Sequence, residues 1–205
     1  MRRAFGVLCM LLGLAMVAGA AWLVLANRAE ESAAGDAADQ TMTELRAAME
    51  DALTVSAQPT LPPESPVATP VPEMPTMEID GEAYIGYLEM PTIGLSLPVM
   101  SDWSYAKLRI APCRYWGSTY DDSLVIMAHN YDRHFGRIGT LQEGDPVQFV
   151  GADGEIVSYV VQGQETLQPT DVSGMLDSGA DLTLFTCTYG GRSRVTVRLK
   201  RVLAY

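Results

Sequence analysis

The amino-acid sequence predicts a mainly β domain, a closed barrel or sandwich, that follows an N-terminal membrane helix and a spacer. Seven or eight short β-prone runs lie beyond residue 79, and such spacing is typical of closed β architectures. An apolar run of 23 residues without a charged side chain begins near the N-terminus, at Ala4. Between these regions, residues 58–77 hold seven of the twelve prolines, which favours an extended, semi-rigid spacer over a fold.

The apolar run, residues 4–26, is long enough to cross a bilayer as a helix, because roughly 20 apolar residues suffice. The pair Arg2-Arg3 precedes it and is expected to stay in the cytoplasm, with the rest of the chain outside. A cleaved signal peptide with a small-residue site at Ala18-Gly19-Ala20 is the alternative. The run stays apolar through Leu25, and this length favours an uncleaved, single-pass anchor.

Residues 27–78 are expected to form an unfolded stalk that holds the following domain off the membrane. They carry most of the negative charge of a chain whose net charge is −11. Within them Leu45, Met49 and Leu53 recur at a spacing of four, which predicts a short helix over residues 43–53 with a narrow apolar stripe and no implied partner. No basic surface is visible from the composition, so nucleic-acid binding is not predicted.

The domain itself, residues 79–205, reads as a succession of short strands. Ile93-Gly94 forms the corner between the first two strands, and Asp153-Gly154 signals a hairpin. Short helical turns are expected at residues 103–109 and 171–176. The predicted strands are residues 83–90, 95–100, 123–129, 146–150, 156–162, 182–187 and 194–203.

The last two strands form the most informative segment. Gly190-Gly191 joins two β-prone runs, which is the signature of a tight hairpin. If these glycines are the two loop residues, Tyr189 pairs with Arg192 and Cys187 pairs with Arg194. Opposed residues share one face of a sheet, so a guanidinium is expected beside the Cys187 thiol. Such a neighbour favours the thiolate and lowers the pKa of a cysteine, which is how a nucleophile is made.

Two histidines are candidates for acid–base chemistry. His129 ends an apolar strand and opens into a polar loop, where an imidazole can face a groove and serve a cysteine nucleophile. A hydrogen-bonded structural histidine is the alternative, and this interpretation is stronger for His134, which lies among polar loop residues.

The remaining cysteine of the domain, Cys113, is either a buried structural thiol or the partner of Cys187 in a disulfide. No CxxC or His-rich pattern indicates a metal site. The carboxylates of the spacer and loops are chemically able to bind Ca²⁺, but they show no known ligand spacing. No metal or other cofactor is therefore predicted.

Three features together resemble the sortase family. His129 lies at a strand end, the segment Leu184-Phe185-Thr186-Cys187 follows, and Arg194 opens the last strand, which is similar to the sortase pattern of His, TLxTC and Arg. The opening segment, residues 84–99, is similar to the first two sortase strands. The resemblance covers residues 79–205, and the N-terminal anchor and spacer fit the layout of the family.

The resemblance implies an eight-stranded β-barrel cysteine transpeptidase on the surface of a Gram-positive-type cell. It implies that Cys187 cleaves an LPxTG-like sorting motif near the C-terminus of secreted proteins and keeps the acyl part as a thioester. It further implies that His129 protonates the leaving amine and deprotonates the incoming one, and that Arg194 binds substrate carbonyls or the oxyanion. The acceptor is then an amine of a lipid-linked peptidoglycan precursor or of a pilin lysine.

Other residues of the hairpin are secondary candidates. Arg192 is the rival of Arg194, and Arg192, Tyr189 and Thr186 are candidate substrate contacts. The length between His129 and Cys187 suggests a sub-class nearer to class B than to class A. The absence of an Asp-Pro-aromatic lid before the first strand argues against a lidded pilin polymerase.

Two other classes of protein compete with this interpretation. An L,D-transpeptidase also uses an external β domain with histidine before cysteine, but it carries a Ser-His-Gly-Cys segment where this chain has Phe185-Thr186 before Cys187. A non-catalytic display or binding domain on a sortase-like barrel would tolerate loss of the thiol. The intact set of His129, Cys187 and Arg194 favours the enzyme.

Overall fold

The computed structural model describes residues 2–56 and 73–202. A long helix, α1 (Arg2–Ser56), precedes nine strands and a short helix, α2 (Val172–Leu176). The strands are β1 (Met77–Ile79), β2 (Glu82–Met90), β3 (Leu95–Met100), β4 (Cys113–Trp116), β5 (Leu124–Met127), β6 (Pro146–Gly151), β7 (Ile156–Leu167), β8 (Leu182–Cys187) and β9 (Arg194–Arg201).

Eight of these strands close into a barrel. Their order is β2-β3-β4-β5-β8-β9-β7-β6, and pairing of β2 with β6 completes the circle, while β1 adds to the free side of β2. The prediction of a closed eight-stranded barrel is confirmed. Two strands, β1 and β4, were not foreseen. Both are short, and neither shows the apolar alternation by which the other strands are recognised.

Closure of the barrel depends on a close approach between β2 and β6. At Gly86 the backbone has φ +141°, and a Cβ atom there would lie 2.0 Å from the carbonyl oxygen of Val150. The β2–β3 ladder shifts register next to it, between Tyr84 and Gly86. Only glycine permits this contact and this φ, so the residue allows the sheet to bend onto itself. The interior is filled by apolar side chains such as Leu88, Ile126, Phe149, Leu184 and Val197.

Helix α1 differs from the expectation for the N-terminal region. It continues without interruption past residue 26, and its second half lies on the barrel. Its buried residues, Ala34, Ala38, Met42, Leu45 and Met49, recur at helical spacing, so the apolar stripe has a partner after all.

The prediction of an unfolded stalk is therefore wrong for residues 27–56, and the predicted short helix over residues 43–53 is a part of α1. Most of the proline-rich segment falls in residues 57–72, outside the described residues. Among the described residues, one helix, the N-terminal one, is long and apolar enough to cross a membrane; the 18-residue window has a mean hydropathy of 1.9.

Candidate active site

The β8–β9 hairpin carries the cysteine and the arginine. The ladder pairs Cys187 with Arg194, as the hairpin prediction requires. Beyond this pair the strands end, and the Gly191 amide donates to the Thr188 carbonyl over 2.8 Å. Gly190 and Gly191 both have positive φ, which the tight turn requires. The predicted Tyr189–Arg192 pair is absent from the described ladder because both residues belong to the turn.

His129 reaches the same edge of the barrel through parallel pairing. Strands β5 and β8 run parallel with Met127 opposite Phe185, so continuing the register by two residues brings His129 level with Cys187. Hydrogen bonds hold this extension in place. The Ala128 amide donates to the Phe185 carbonyl over 3.2 Å, and the Thr186 hydroxyl donates to the Ala128 carbonyl over 2.8 Å.

The half-buried His129 imidazole is stacked on the ring of Tyr131, with 4.8 Å between ring centroids. Burial lowers the pKa of His129 below its ordinary value, and the positive charge of Arg109 acts in the same direction, while Glu30 of α1 opposes both. The neutral imidazole is therefore the prevalent form at pH 7, which suits a base that accepts a proton from a thiol or an amine.

Two cavities flank Cys187, and together they provide two approaches to one thiol. Thr186 and Cys187 line both cavities. The first has a volume of about 240 Å³ and also receives His129 and Arg194. The rest of its wall is mainly apolar and aromatic and includes Trp103, Tyr105, Leu108, Tyr115, Met127, Met175 and Phe185.

The second cavity is similar to the first in size and in its share of polar surface. Its volume is about 260 Å³, and its wall includes Asn130, Asp132, Thr188 and Tyr189. The Asp132 carboxylate is the only acidic side chain among the described residues that line it.

The candidate residues of the hairpin are placed differently from one another. The Arg194 Nη1 donates to the carbonyls of Gly191 and Ser193, each over 3.2 Å, which anchors the guanidinium at the mouth of the first cavity. Tyr189 is 91% exposed and lines the second cavity. Thr186 is buried and holds Ala128. Arg192 lies on the exposed turn and lines neither of the two described cavities.

Sequence reasoning missed the group that shapes the first cavity. Arg198 is largely buried and donates to the carbonyls of Gly174 and Met175, to the Thr183 hydroxyl and to Glu165. It thereby fixes α2, whose Met175 forms part of the cavity wall. The alternation of β9 assigns Arg198 to the outer face, and the covering of that face by α2 is not visible in the pattern.

The other predicted candidates lie away from the reacting atoms. Cys113 is a free, buried thiol, so it forms no disulfide with Cys187. Burial raises the pKa of Cys113 to about 12, which makes this thiol unreactive. His134 is fully buried beneath α1, and burial lowers its pKa to about 4. Within residues 2–56 and 73–202, no group of three or more His, Cys, Asp or Glu side chains is arranged to hold a metal ion.

Comparison with known proteins decides the family. A family model described as "Sortase domain" matches residues 88–202. This chain belongs to the sortase family. Sortases are a family of cysteine transpeptidases, and the matched residues include His129, Cys187 and Arg194. A search of curated proteins found no match.

Solved sortase structures share the fold. Sortase C1 from Streptococcus agalactiae has 28% identity and a TM-score of 0.54, with 62% of this chain and 72% of that chain covered. A lid mutant of sortase A from Corynebacterium diphtheriae has 25% identity and a TM-score of 0.52, with 59% and 71% covered. Streptococcus pneumoniae sortase C, at 24% identity, a TM-score of 0.53 and coverage of 81% and 94%, shows the same fold. The sub-class of this chain stays a prediction.

Proposed function

We propose that the chain is a membrane-anchored sortase that cleaves an LPxTG-like sorting motif through a Cys187 thioester and transfers the acyl part to an amine. One observation carries the proposal: parallel pairing of β5 with β8 and antiparallel pairing of β8 with β9 bring His129, Cys187 and Arg194 to one edge, open to two cavities. A merely structural cysteine has no need of this arrangement.

The first half-reaction forms the thioester. Cys187 gives its proton to neutral His129, and the thiolate attacks the scissile carbonyl carbon. Arg194 stabilises the negative charge that develops on the carbonyl oxygen, where a fixed cation is most effective. The carbon–nitrogen bond then breaks, and the His129 imidazolium gives its proton to the leaving amine.

The second half-reaction uses the same groups in reverse. Neutral His129 takes a proton from the incoming amine, the amine nitrogen attacks the thioester carbonyl, and Cys187 leaves as the thiolate and recovers a proton from His129. Arg194 again stabilises the oxyanion. The products are a new amide and the free enzyme, so atoms and charges balance without a cofactor.

The two cavities divide the substrates between them. The large aromatic and aliphatic side chains of the first cavity suit the side chains of a sorting motif. This cavity shares Trp103 and Tyr115 with a further cavity of about 380 Å³, which gives room for an extended peptide. The second cavity suits the amine, because Asp132 attracts an ammonium group toward the thiol. Candidate acceptors are a lipid-linked peptidoglycan precursor and a pilin lysine.

The cellular layout follows from the N-terminal half of α1. The apolar segment, residues 4–26, anchors the chain in the cell membrane as a single pass, and the barrel lies outside a Gram-positive-type cell. Secreted proteins that carry a C-terminal sorting motif are the acyl donors.

A trapping assay tests the proposal. The full chain in detergent or nanodiscs is incubated with LPxTG-like and NPxTN-like peptides, and intact mass is measured. We expect an acyl adduct that is absent in Cys187→Ala and present in the matched control Cys113→Ala, whose thiol is buried. A folded protein with a free Cys187 thiol and no adduct from any peptide would contradict the proposed function.

A further inference from the structure

We infer that the second half of α1 is a rigid strut that holds the active-site end of the barrel at the lipid headgroups. This inference rests on the proposed membrane anchor, and it fixes where the proposed transpeptidase works: the reacting groups of donor and acceptor meet within about 10 Å of the bilayer surface.

The helix is continuous from the membrane to the barrel. Helix α1 has no break between the apolar run and the part that contacts the barrel, and no proline occurs before Pro59. Residues 4–26 span about 34 Å as a helix, which is close to the roughly 30 Å of the hydrocarbon core. Trp22 and Arg28 lie at the outer end of this run, where aromatic and basic side chains favour the membrane–water interface.

The contacts of α1 with the loop that carries His129 begin just beyond the apolar run. Glu30 pairs with Arg109 over 3.2 Å and accepts a hydrogen bond from the Tyr131 hydroxyl over 3.3 Å, and Tyr131 is the residue stacked on His129. Glu31 accepts from the Asp132 amide over 2.6 Å. Glu30 is only about 6 Å along the helix from Ala26. The loop that carries His129 therefore lies at the depth of the headgroups.

The contacts further along α1 involve the opposite end of the barrel. Further along α1, Leu45 and Met49 pack in one apolar cluster with Tyr84 and Met100. At the far end Leu53 approaches the β6–β7 turn, where a Cβ added to Gly154 would lie 3.2 Å from the Leu53 Cδ1. Residues 30 and 53 are about 35 Å apart along a helix, so the β6–β7 turn is held away from the membrane.

The surface of the active-site end agrees with this orientation. Among the described barrel residues, the most exposed aromatic side chains are Tyr189, at 91%, and Tyr105, at 77%, and each lines one of the two cavities beside Cys187. Tyrosine rings are favoured at the membrane interface, since they combine an apolar ring with a polar tip.

A depth measurement tests the orientation independently of activity. A fluorophore is attached in nanodiscs to Tyr189→Cys or, as the distal control, to the 61% exposed Ile156→Cys. Both variants also carry Cys9→Ala and Cys187→Ala, and the buried Cys113 is left unlabelled. Nitroxide on the lipid headgroups is expected to quench the label at position 189 at least about threefold more than the label at position 156. Equal quenching, or stronger quenching at position 156, would overturn the inference.

A strut-length series tests the consequence for substrates. A helix-forming insertion of about 11 residues between Asn27 and Arg28 adds about 16 Å and three turns, so the barrel keeps its face of the helix. We expect transfer to an amine on a short lipid anchor to fall about tenfold relative to transfer to a soluble amine, because the thiol no longer reaches the headgroup layer. The same insertion after Gln58, between α1 and β1 in sequence, is the matched control and should leave this ratio unchanged.

The outcomes separate the two proposals. An unchanged ratio after the strut insertion would overturn the strut, whatever the absolute rates are. Absence of transfer to every amine, with position 189 still strongly quenched, would instead contradict the proposed function and leave the orientation supported.

Discussion

Two segments supply the candidate catalytic groups, and they are held in place by different means. The β8–β9 hairpin fixes Cys187 and Arg194 through its own ladder and turn, within a segment of eight residues. The loop at residues 129–137 contacts α1, which lies about a hundred residues earlier in the sequence. Arg133 of this loop pairs with Asp36 over 2.6 Å and also with Asp39. The proposed nucleophile is therefore positioned locally, and the proposed acid–base group is positioned by a distant helix.

This difference predicts that the two segments fail separately. Damage to the hairpin removes the reacting groups or their register. Damage to the contact between the loop and α1 leaves the thiol in place but loosens the imidazole that must exchange protons with it. Proton transfer needs hydrogen-bond distance, so a loosened His129 slows both half-reactions without removing the substrate cavities.

The largest effect is expected in the hairpin. Arg194→Lys should lower kcat/KM for a sorting peptide about a hundredfold or more, because a point charge on a flexible stem does not replace a planar, anchored guanidinium at the oxyanion. The matched control is Arg192→Lys in the same hairpin, which should stay within about threefold of wild type because Arg192 lies on the exposed turn. Near-normal activity of Arg194→Lys, or a larger loss in Arg192→Lys, would show that the role assigned to Arg194 is wrong.

The next effect concerns the stability of the loop beneath α1. His134 is fully buried, and burial lowers its pKa from 6.5 to about 4. The unfolded chain therefore binds a proton below pH 6.5 that the folded protein does not bind until pH 4. The free energy of unfolding is expected to be highest above pH 6.5 and to fall by at most about 3 kcal/mol as the pH drops to 4.

Denaturant unfolding of wild type and His134→Leu between pH 7.5 and 4 measures this effect. The variant should lose most of the decrease that wild type shows in this window, while other titrating groups contribute equally to both proteins. Parallel curves for the two proteins would contradict the assignment to His134. Arg137→Gln serves as the control here, since it changes the same loop and keeps both the histidine and the neighbouring charge of Arg133.

The same contrast explains what the sequence predicted. The pairing of Cys187 with Arg194 follows from the position of two glycines, since a hairpin turn transmits its register to its neighbours by counting. The position of His129 relative to Cys187 could not be predicted. Parallel pairing of β5 with β8 joins segments 58 residues apart, and the sequence pattern does not specify which strands pair. The short strand β4 and the position of Arg198 were missed for a related reason: both depend on what covers a face, not on local periodicity.

The docking of α1 shows this limit most clearly. Its apolar stripe of Ala34, Ala38, Met42, Leu45 and Met49 is built partly from small residues, so its hydrophobic signal is weak. At Gly35 the helix passes close to Arg133: an added Cβ would lie 2.5 Å from the Arg133 Cδ, so a larger residue there would displace that side chain. In the sequence, the acidic residues of α1 are typical of a solvated spacer. In the structure, Glu30 and Asp36 pair with Arg109 and Arg133, which lie far away in the sequence.

The smallest effect should come from the ion pairs of that contact. Arg133→Gln removes the ion pairs of Arg133 with Asp36 and with Asp39, and such partly exposed pairs contribute about 0.2–1 kcal/mol each. For a soluble peptide we expect kcat to fall about three- to fivefold while KM is unchanged, because the loop of His129 is loosened and the first cavity is intact.

In wild type, raising the salt concentration should lower kcat toward the value of the variant, since salt screens exposed pairs. Arg137→Gln is the matched control in the same loop, because within the described residues Arg137 forms no ion pair with α1. A salt response that is identical in wild type and Arg133→Gln would show that the ion pairs of Arg133 do not hold the loop in place.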